Sequence, residues 1–152
     1  MAKVEQRNIE IFNQVVTFTL LRLYESFPDP IDIDPGKIAG KLEGVTSFEE
    51  AFNIAASTAA EAIEFLAEEG YLRYRSDFQT RDRLTFPRAR LSLRGLALLG
   101  AVPTAVCEEK DRRSFAARLK TAVDKGTSEA LASAIGQLLG AALNMGAQTI
   151  MR

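Results

Sequence analysis

The fold of this chain is decided by residues 59–75, which read AAEAIEFLAEEGYLRYR, and by residues 88–99, which read RARLSLRGLALL. In the first stretch apolar residues recur at helical spacing up to Gly70 and at every second position after it, so a helix gives way to a strand. The second stretch alternates in the same way and then runs into a helix that Ser92 can cap. We therefore expect two antiparallel strands joined by a polar loop over residues 76–85.

The two strands are apolar on one side and basic on the other. Alternation places four arginines on one side of the ribbon: Arg73, Arg75, Arg88 and Arg90. Arg81 and Arg83 fall in the loop at its tip. Guanidinium groups bind phosphates and carboxylates through paired hydrogen bonds, so this side predicts an anion-binding surface. Two other interpretations stay open, in which the arginines neutralise the chain's own carboxylates or bind an acidic protein partner.

The first third of the chain is predicted to be helical. One apolar face of the N-terminal helix recurs at spacings of three and four: Ile9, Phe12, Val16, Leu20, Leu23 and Phe27. Pro28 and Pro30 end this helix. Asp34 and Pro35 then begin a short helix, as N-cap and first helical residue, and Gly44 is expected to end it.

Two capping signals precede Gly70. Residues 47–50, SFEE, match the capping box and begin a helix that runs towards Glu69. Residues 58–61, TAAE, match it again, so we expect a break near residues 55–57 with Ser57 or Thr58 as a second N-cap. Two further helices follow the ribbon, which makes the predicted fold class mostly α with a small antiparallel β-wing.

This order of elements resembles a winged helix-turn-helix domain over about residues 5–100. Residues 66–72, LAEEGYL, are similar to the exit of a recognition helix into the first wing strand. Residues 91–99, LSLRGLALL, are similar to the stretch that closes the wing in bacterial regulators of the MarR and PadR kind. The resemblance implies that Ser57 and Thr58 hold the helix N-terminus at the DNA backbone and that the wing arginines contact phosphates. The chain departs from the pattern in the long segment between Gly44 and Ser57.

Composition limits the chemistry that the chain can perform. Its 152 residues contain no histidine and a single cysteine, Cys107. Imidazole bases, internal disulfides and the commonest zinc sites are thereby excluded. We expect no enzymatic activity, no cofactor and no metal site. The unpaired thiol and the charged N-terminus, which has no apolar signal segment, predict a cytoplasmic protein.

The net charge of −1 hides an uneven distribution. Residues 1–70 carry a net charge of −8, residues 71–94 carry +5 and residues 95–152 carry +2. The proposed recognition helix has four glutamates and no cation, an arrangement that repels a polyanion: Glu61, Glu64, Glu68 and Glu69. The sequence therefore predicts a DNA-binding transcriptional regulator, with a winged-helix protein–protein interaction module that never binds DNA as the alternative.

The last helix is predicted to make a homodimer. It is apolar almost all round, and Gly136 and Gly140 form a G-x-x-x-G that allows close helix approach. The expected oligomer interface comprises Leu131, Ile135, Leu138, Leu139, Ala142 and Met145. The chain accordingly divides into a winged-helix domain, residues 1–103, and a C-terminal helical segment, residues 104–152. The helix is too weakly apolar for a membrane span to be expected, and peripheral membrane association through it is a weaker alternative.

Overall fold

A computed structural model describes residues 2–81, 84–101 and 113–150, with side chains for residues 7–81, 84–101 and 113–144. In these ranges the chain forms α1 (Ala2–Ser26), β1 (Ile31–Ile33), α2 (Pro35–Ala39), α3 (Phe48–Ile54), α4 (Ala60–Glu68), β2 (Leu72–Arg73), β3 (Phe86–Leu91), α5 (Leu93–Gly100), α6 (Phe115–Lys125) and α7 (Ser128–Ile150). The predicted class, mostly helical with a small antiparallel sheet, is confirmed.

The sheet has three strands in the order β1-β3-β2, and both pairings are antiparallel. The expected ribbon is β2 and β3, with Leu72 opposite Leu91 and Arg73 opposite Arg90. Both strands are placed slightly differently from the prediction, at residues 72–73 and 86–91. Strand β1 was not predicted, because three alternating residues between Pro30 and Asp34 are too few to establish a period of two.

Helix α1 runs through the centre of the molecule. From Asn13 to Leu20 every residue except Phe18 is buried, so this helix is covered on several sides. The predicted apolar face holds at Val16, Leu20 and Leu23, but the expectation that Ile9 is buried is wrong, since its side chain is 60% exposed. Asn8, Ile9 and Phe12 of α1 line a groove beside α4.

The caps of α2 and α3 follow the sequence signals. The Asp34 carboxylate accepts a hydrogen bond from the backbone N–H of Gly36 at 2.8 Å, and Ser47 Oγ accepts one from the N–H of Glu50 at 3.1 Å. Helix α2 ends at Ala39, earlier than the predicted stop at Gly44. A series of turns leads from there to Gly44, whose φ of +83° suits a glycine.

The predicted break between α3 and α4 is a π-helical turn, Ala55–Ala59, so helical backbone continues from Phe48 to Glu68. An N-cap at Ser57 or Thr58 is therefore wrong: neither side chain caps the helix. The Ser57 hydroxyl instead donates to the carbonyl of Asn53 at 2.7 Å, one turn earlier, which is how a serine inside a helix commonly satisfies its hydroxyl.

The C-terminal helices complete the core around α1. Helix α7 packs on α1 and α6, and its buried side belongs to the same apolar cluster as the rest of the chain. Four residues of the predicted oligomer interface are buried there within one chain: Leu131, Ile135, Leu138 and Ala142. They cannot form an interface with a second copy, because α1 and its neighbours already cover them. Leu139 is 36% exposed, while the side chain of Met145 and the predicted boundary between residues 103 and 104 lie outside the described residues.

Residues 91–99, which carry part of the resemblance to bacterial regulators, have an architectural role. Ser92 Oγ donates to the carbonyl of Gly70 and accepts from the N–H of Gly95, so it caps α5 and holds the turn after α4. A β-carbon at position 95 would collide with the carbonyl oxygen of Tyr71, which restricts this position to glycine. Arg94 donates to the carbonyl of Glu69 and lies over the Tyr71 ring. The base of the ribbon is thereby fixed to both flanking helices.

Candidate nucleic-acid interface

Four predicted site arginines lie together on one side of the sheet. Arg73, Arg75, Arg88 and Arg90, the arginine face, are exposed and line a cleft of about 310 Å³. Pro30 and Tyr74 complete its walls. The opposite side of the same strands is apolar and packs into the core. The sheet therefore presents guanidinium groups to solvent from a rigid support.

Two of these arginines oppose each other directly. Arg73 on β2 is the cross-strand partner of Arg90 on β3. Like charges at facing positions of an antiparallel pair destabilise it, by an amount within the range of about 0.2–1 kcal/mol that such pairs contribute. Among the described residues, no carboxylate forms an ion pair with either guanidinium. The arrangement costs stability in the free protein, and a bound anion would remove that cost.

Strand β3 is irregular beside Arg88. Phe86 and Ala89 are both fully buried although they are three residues apart, a spacing that would put them on opposite sides of a regular strand. The register between β1 and β3 shifts here, and Arg88 takes a positive φ of 51°. Asp32 on β1 holds this conformation, since its carboxylate accepts from the backbone N–H of Arg88 at 2.9 Å. The extra residue lets Phe86 enter the core, while Arg88 and Arg90 both stay exposed, as alternation predicts.

Arg75 already has a partner. Its guanidinium donates two hydrogen bonds to the Asp77 carboxylate, at 3.1 and 3.0 Å, and lies 4.9 Å from the centre of the Phe78 ring. The hydrogen bonds from Arg75 lower the pKa of Asp77, and the same carboxylate raises the pKa of Arg75. Both groups are exposed, so the pair mainly holds the arginine side chain in place.

The interpretation that the wing arginines neutralise the acidic N-terminal half is not supported by their contacts. Arg75 pairs with Asp77 two residues away, and the acidic residue Glu50 pairs with Arg7 of α1 at 3.9 Å. Arg73, Arg88 and Arg90 have no side-chain hydrogen bond or ion pair to any described residue. Of the two arginines at the loop tip, Arg81 is exposed, and Arg83 lies outside the described residues.

Ser57 and Thr58 lie away from the arginine face. They line a different groove of about 570 Å³ between α1 and the π-helical turn and α4. Its other walls are both apolar and acidic, and include Phe12, Phe65 and Glu68. The structure therefore does not bring the two hydroxyl residues and the wing arginines into one site.

A cluster of exposed aromatic side chains was not predicted. Phe48 is 87% and Phe52 49% exposed on the first turns of α3, and both line a cleft of about 650 Å³ with Leu84 of the loop before β3. The sequence carried a signal for it, because the capping box at Ser47 fixes where the helix begins and spacing by four puts both rings on one face.

Within the described residues no helix is both long and apolar enough to cross a bilayer. Comparison of the chain with protein-family models, with curated proteins and with solved structures finds no match.

Proposed function

We propose that this protein is a winged-helix DNA-binding transcriptional regulator that acts as a dimer and holds DNA through the arginine face. In this arrangement α2 and the continuous helix over α3 and α4 are the helix-turn-helix, and β2, β3 and the loop between them are the wing. The order of the three strands and the position of β1 between α1 and α2 support this assignment.

The observation that carries the proposal is a set of three exposed guanidinium groups on one side of the sheet that have no ion-pair partner among the described residues. Arg73 and Arg90 face each other across the strands, and Asp32 holds Arg88 beside them in a disfavoured backbone conformation. Residues in such conformations persist where the surrounding structure fixes them, and they cluster at functional sites. Guanidinium groups bind phosphates through paired hydrogen bonds, and a row of them matches the repeated phosphates of a nucleic-acid backbone.

The continuous helix over α3 and α4 contributes less to DNA affinity than the wing does. Its exposed first turn carries Glu49 with Phe48, and its later turns carry Glu61 and Glu68. These carboxylates repel a polyanion, so binding energy must come from phosphate contacts of the arginines. Such contacts position the protein on the duplex but carry little base information.

A dimer formed through α7 has to use a different side of this helix from the one predicted. The buried side is occupied by the protein's own core, whereas Leu143 is 77% exposed and Leu139 36% exposed on the outer side. Gly136 and Gly140 also face open space there. This outer side is the surface on which we propose that two copies meet.

The test is a salt titration of binding to a fluorescein-labelled duplex, measured by anisotropy. Arg73→Gln and Arg90→Gln should each weaken binding and make the slope of log K against log salt shallower by about 0.9, the value for one lost phosphate contact. Arg22→Gln is the matched control, since Arg22 lies on α1, is partly exposed and does not line the arginine cleft. Equal effects of all three substitutions would refute a specific role for the wing.

A second function, a protein-interaction module, is favoured by the groove beside α4. Ile9 is 60% and Phe65 43% exposed there, and the Phe12 ring packs edge-on against Phe65 at 5.8 Å. Exposed apolar groups in a groove are typical of a protein docking surface. If this is the function, Phe65→Ser abolishes partner binding, and the protein shows no salt-dependent affinity for mixed duplex DNA.

A further inference from the structure

The first turns of α3 expose two aromatic rings that the core does not use. Phe48 is the first residue of the helix, immediately after the Ser47 cap, and Phe52 follows one turn later on the same face. Their exposed fractions, 87% and 49%, are large for phenylalanine. Burial of an aromatic ring gives a large favourable free energy, so two exposed rings side by side indicate a surface that binds a partner.

The cleft beneath these rings is apolar at its centre and nearly neutral. Val45, Ala51 and Leu84 line it together with the two rings, and Thr46 and Thr85 supply hydroxyl groups. Lys37 and Asp34 are the charged residues among its lining, and Asp34 is already engaged in the cap of α2. Glu49 and Glu50 occupy the first turn of the helix and disfavour a phosphate at that helix end. An occupant of matching chemistry is flat, apolar on its faces and uncharged.

The cleft lined by Phe48 and Phe52, the aromatic cleft, and the arginine face lie at opposite ends of the strand pair β1–β3. Residues before and after β1 line one site each: Pro30 belongs to the arginine cleft and Asp34 to the aromatic cleft. Thr85, immediately before β3, lines the aromatic cleft, and Arg88 on β3 lines the arginine cleft. Three residues of strand separate these positions, about 10 Å. A nucleic-acid strand advances about 3.4 Å per nucleotide when stacked, so about three nucleotides span the distance.

We infer that the aromatic cleft holds unpaired bases of a single nucleic-acid strand whose phosphates lie on the arginine face. This inference rests on the proposed function and adds a second substrate to it: the same arginine face that binds duplex DNA also holds the phosphates of a single strand. In a duplex the faces of the bases are covered by their neighbours, whereas an unstacked base can lie on Phe48 or Phe52. Single-strand binding proteins combine these same two features, a basic track for the backbone and aromatic rings for the bases.

The experiment compares two labelled probes of equal length, an oligo(dT) single strand and a duplex, by anisotropy at one salt concentration. The variant Phe48→Ala/Phe52→Ala should weaken binding to oligo(dT) at least tenfold and change duplex binding less than twofold. Stacking of one base contributes about 1–3 kcal/mol, and a tenfold change corresponds to about 1.4 kcal/mol. Tyr24→Ala, an exposed aromatic residue on α1 that lines neither cleft, is the matched control and should change neither.

The outcomes separate this inference from the proposed function. Unchanged oligo(dT) binding in the double variant, or an equal loss for both probes, overturns the inference, while duplex binding that depends on Arg73 and Arg90 leaves the proposed function intact. If the wild-type protein binds neither the oligo(dT) nor the duplex, both the inference and the proposed function are overturned. A change from dimer to monomer in the double variant, seen by sedimentation velocity, identifies a second copy as the occupant of the cleft and also overturns the inference.

Discussion

Replacing Arg88 by glycine should stabilise the protein while weakening its binding to DNA. Arg88 has a φ of 51°, in the left-handed region, which costs an L-residue about 1–2 kcal/mol. Glycine avoids that cost but loses more backbone entropy on folding, about 0.5–1 kcal/mol. The difference favours the variant by about 1 kcal/mol, before the reduced repulsion from Arg90 is counted. In a chain of this size such a gain raises Tm by about 2–4 °C.

The matched control is Arg90→Gly, which removes the same charge two residues away. Arg88 is the non-glycine residue with positive φ in the described part of the chain, so glycine at position 90 relieves no strain. This control should lose about 0.5–1 kcal/mol of stability, the usual cost of glycine within a strand. Differential scanning calorimetry measures both variants, and a salt titration measures DNA binding. If Arg88→Gly destabilises the protein as much as Arg90→Gly does, the account of the bulge held by Asp32 is wrong.

Three further predictions test individual parts of the molecule. Asp77→Asn should release Arg75 and strengthen duplex binding at neutral pH. Because Arg75 holds the pKa of Asp77 below its usual value, the ion pair persists above that lowered pKa and is lost as the pH falls through it, so the gain over wild type should vanish at low pH. Ser57→Ala should leave Tm unchanged or slightly raised in a thermal melt, since Ser57 lies inside a helix; a loss of about 1 kcal/mol would indicate a cap. Ile135→Ala should cost about 2–5 kcal/mol in urea unfolding and Leu143→Ala less than about 0.5, and the reverse order would contradict the packing of α7 on α1.

The sequence predicts this fold best where a local signal and the final packing agree. The change from helical to alternating spacing at Gly70 places the ribbon, and the caps at Asp34 and Ser47 form as their side chains suggest. The second capping box, residues 58–61, wrongly predicts the start of a helix at Thr58. The same four residues fit the interior of a helix equally well. The buried Ala55 and Ala59 pack against α2, and this contact favours a continuous helix over a new start at Thr58. The contact is not local in sequence.

The packing partner of α7 could not be predicted from the sequence. Its apolar residues correctly indicate a buried helix, but periodicity does not reveal what covers it. The covering element is α1, whose middle is buried on nearly all sides between Asn13 and Leu20. In the sequence, Thr17 and Thr19 follow Val15 and Val16 in this stretch. The sequence therefore predicts a helix with one apolar face. The threonine side chains are buried in the structure, and Thr17 satisfies its hydroxyl by donating to the carbonyl of Asn13.

The candidate site was predictable in part because alternation along a strand is a strong rule. It placed Arg73, Arg75, Arg88 and Arg90 on one side from the sequence alone. The backbone conformation of Arg88 was not predictable, since the bulge involves Asp32 from a strand that the sequence did not reveal. The partner of Arg75 was likewise present in the sequence, two residues away at Asp77, but its geometry depends on the turn at residues 76–78.

The residues that carry the resemblance to winged-helix regulators and the residues proposed to bind DNA form separate sets. Ser92, Gly95 and Arg94 connect backbone segments at the base of the ribbon, and each makes contacts that stabilise the fold. Arg73 and Arg90 make no such contacts with described residues and repel each other across the sheet. Substitutions in the first set should therefore lower stability and binding together, whereas Arg73→Gln and Arg90→Gln should lower binding without lowering stability. The first set of residues, which resembles winged-helix regulators, indicates the fold. The function is inferred from the positive charge of the second set.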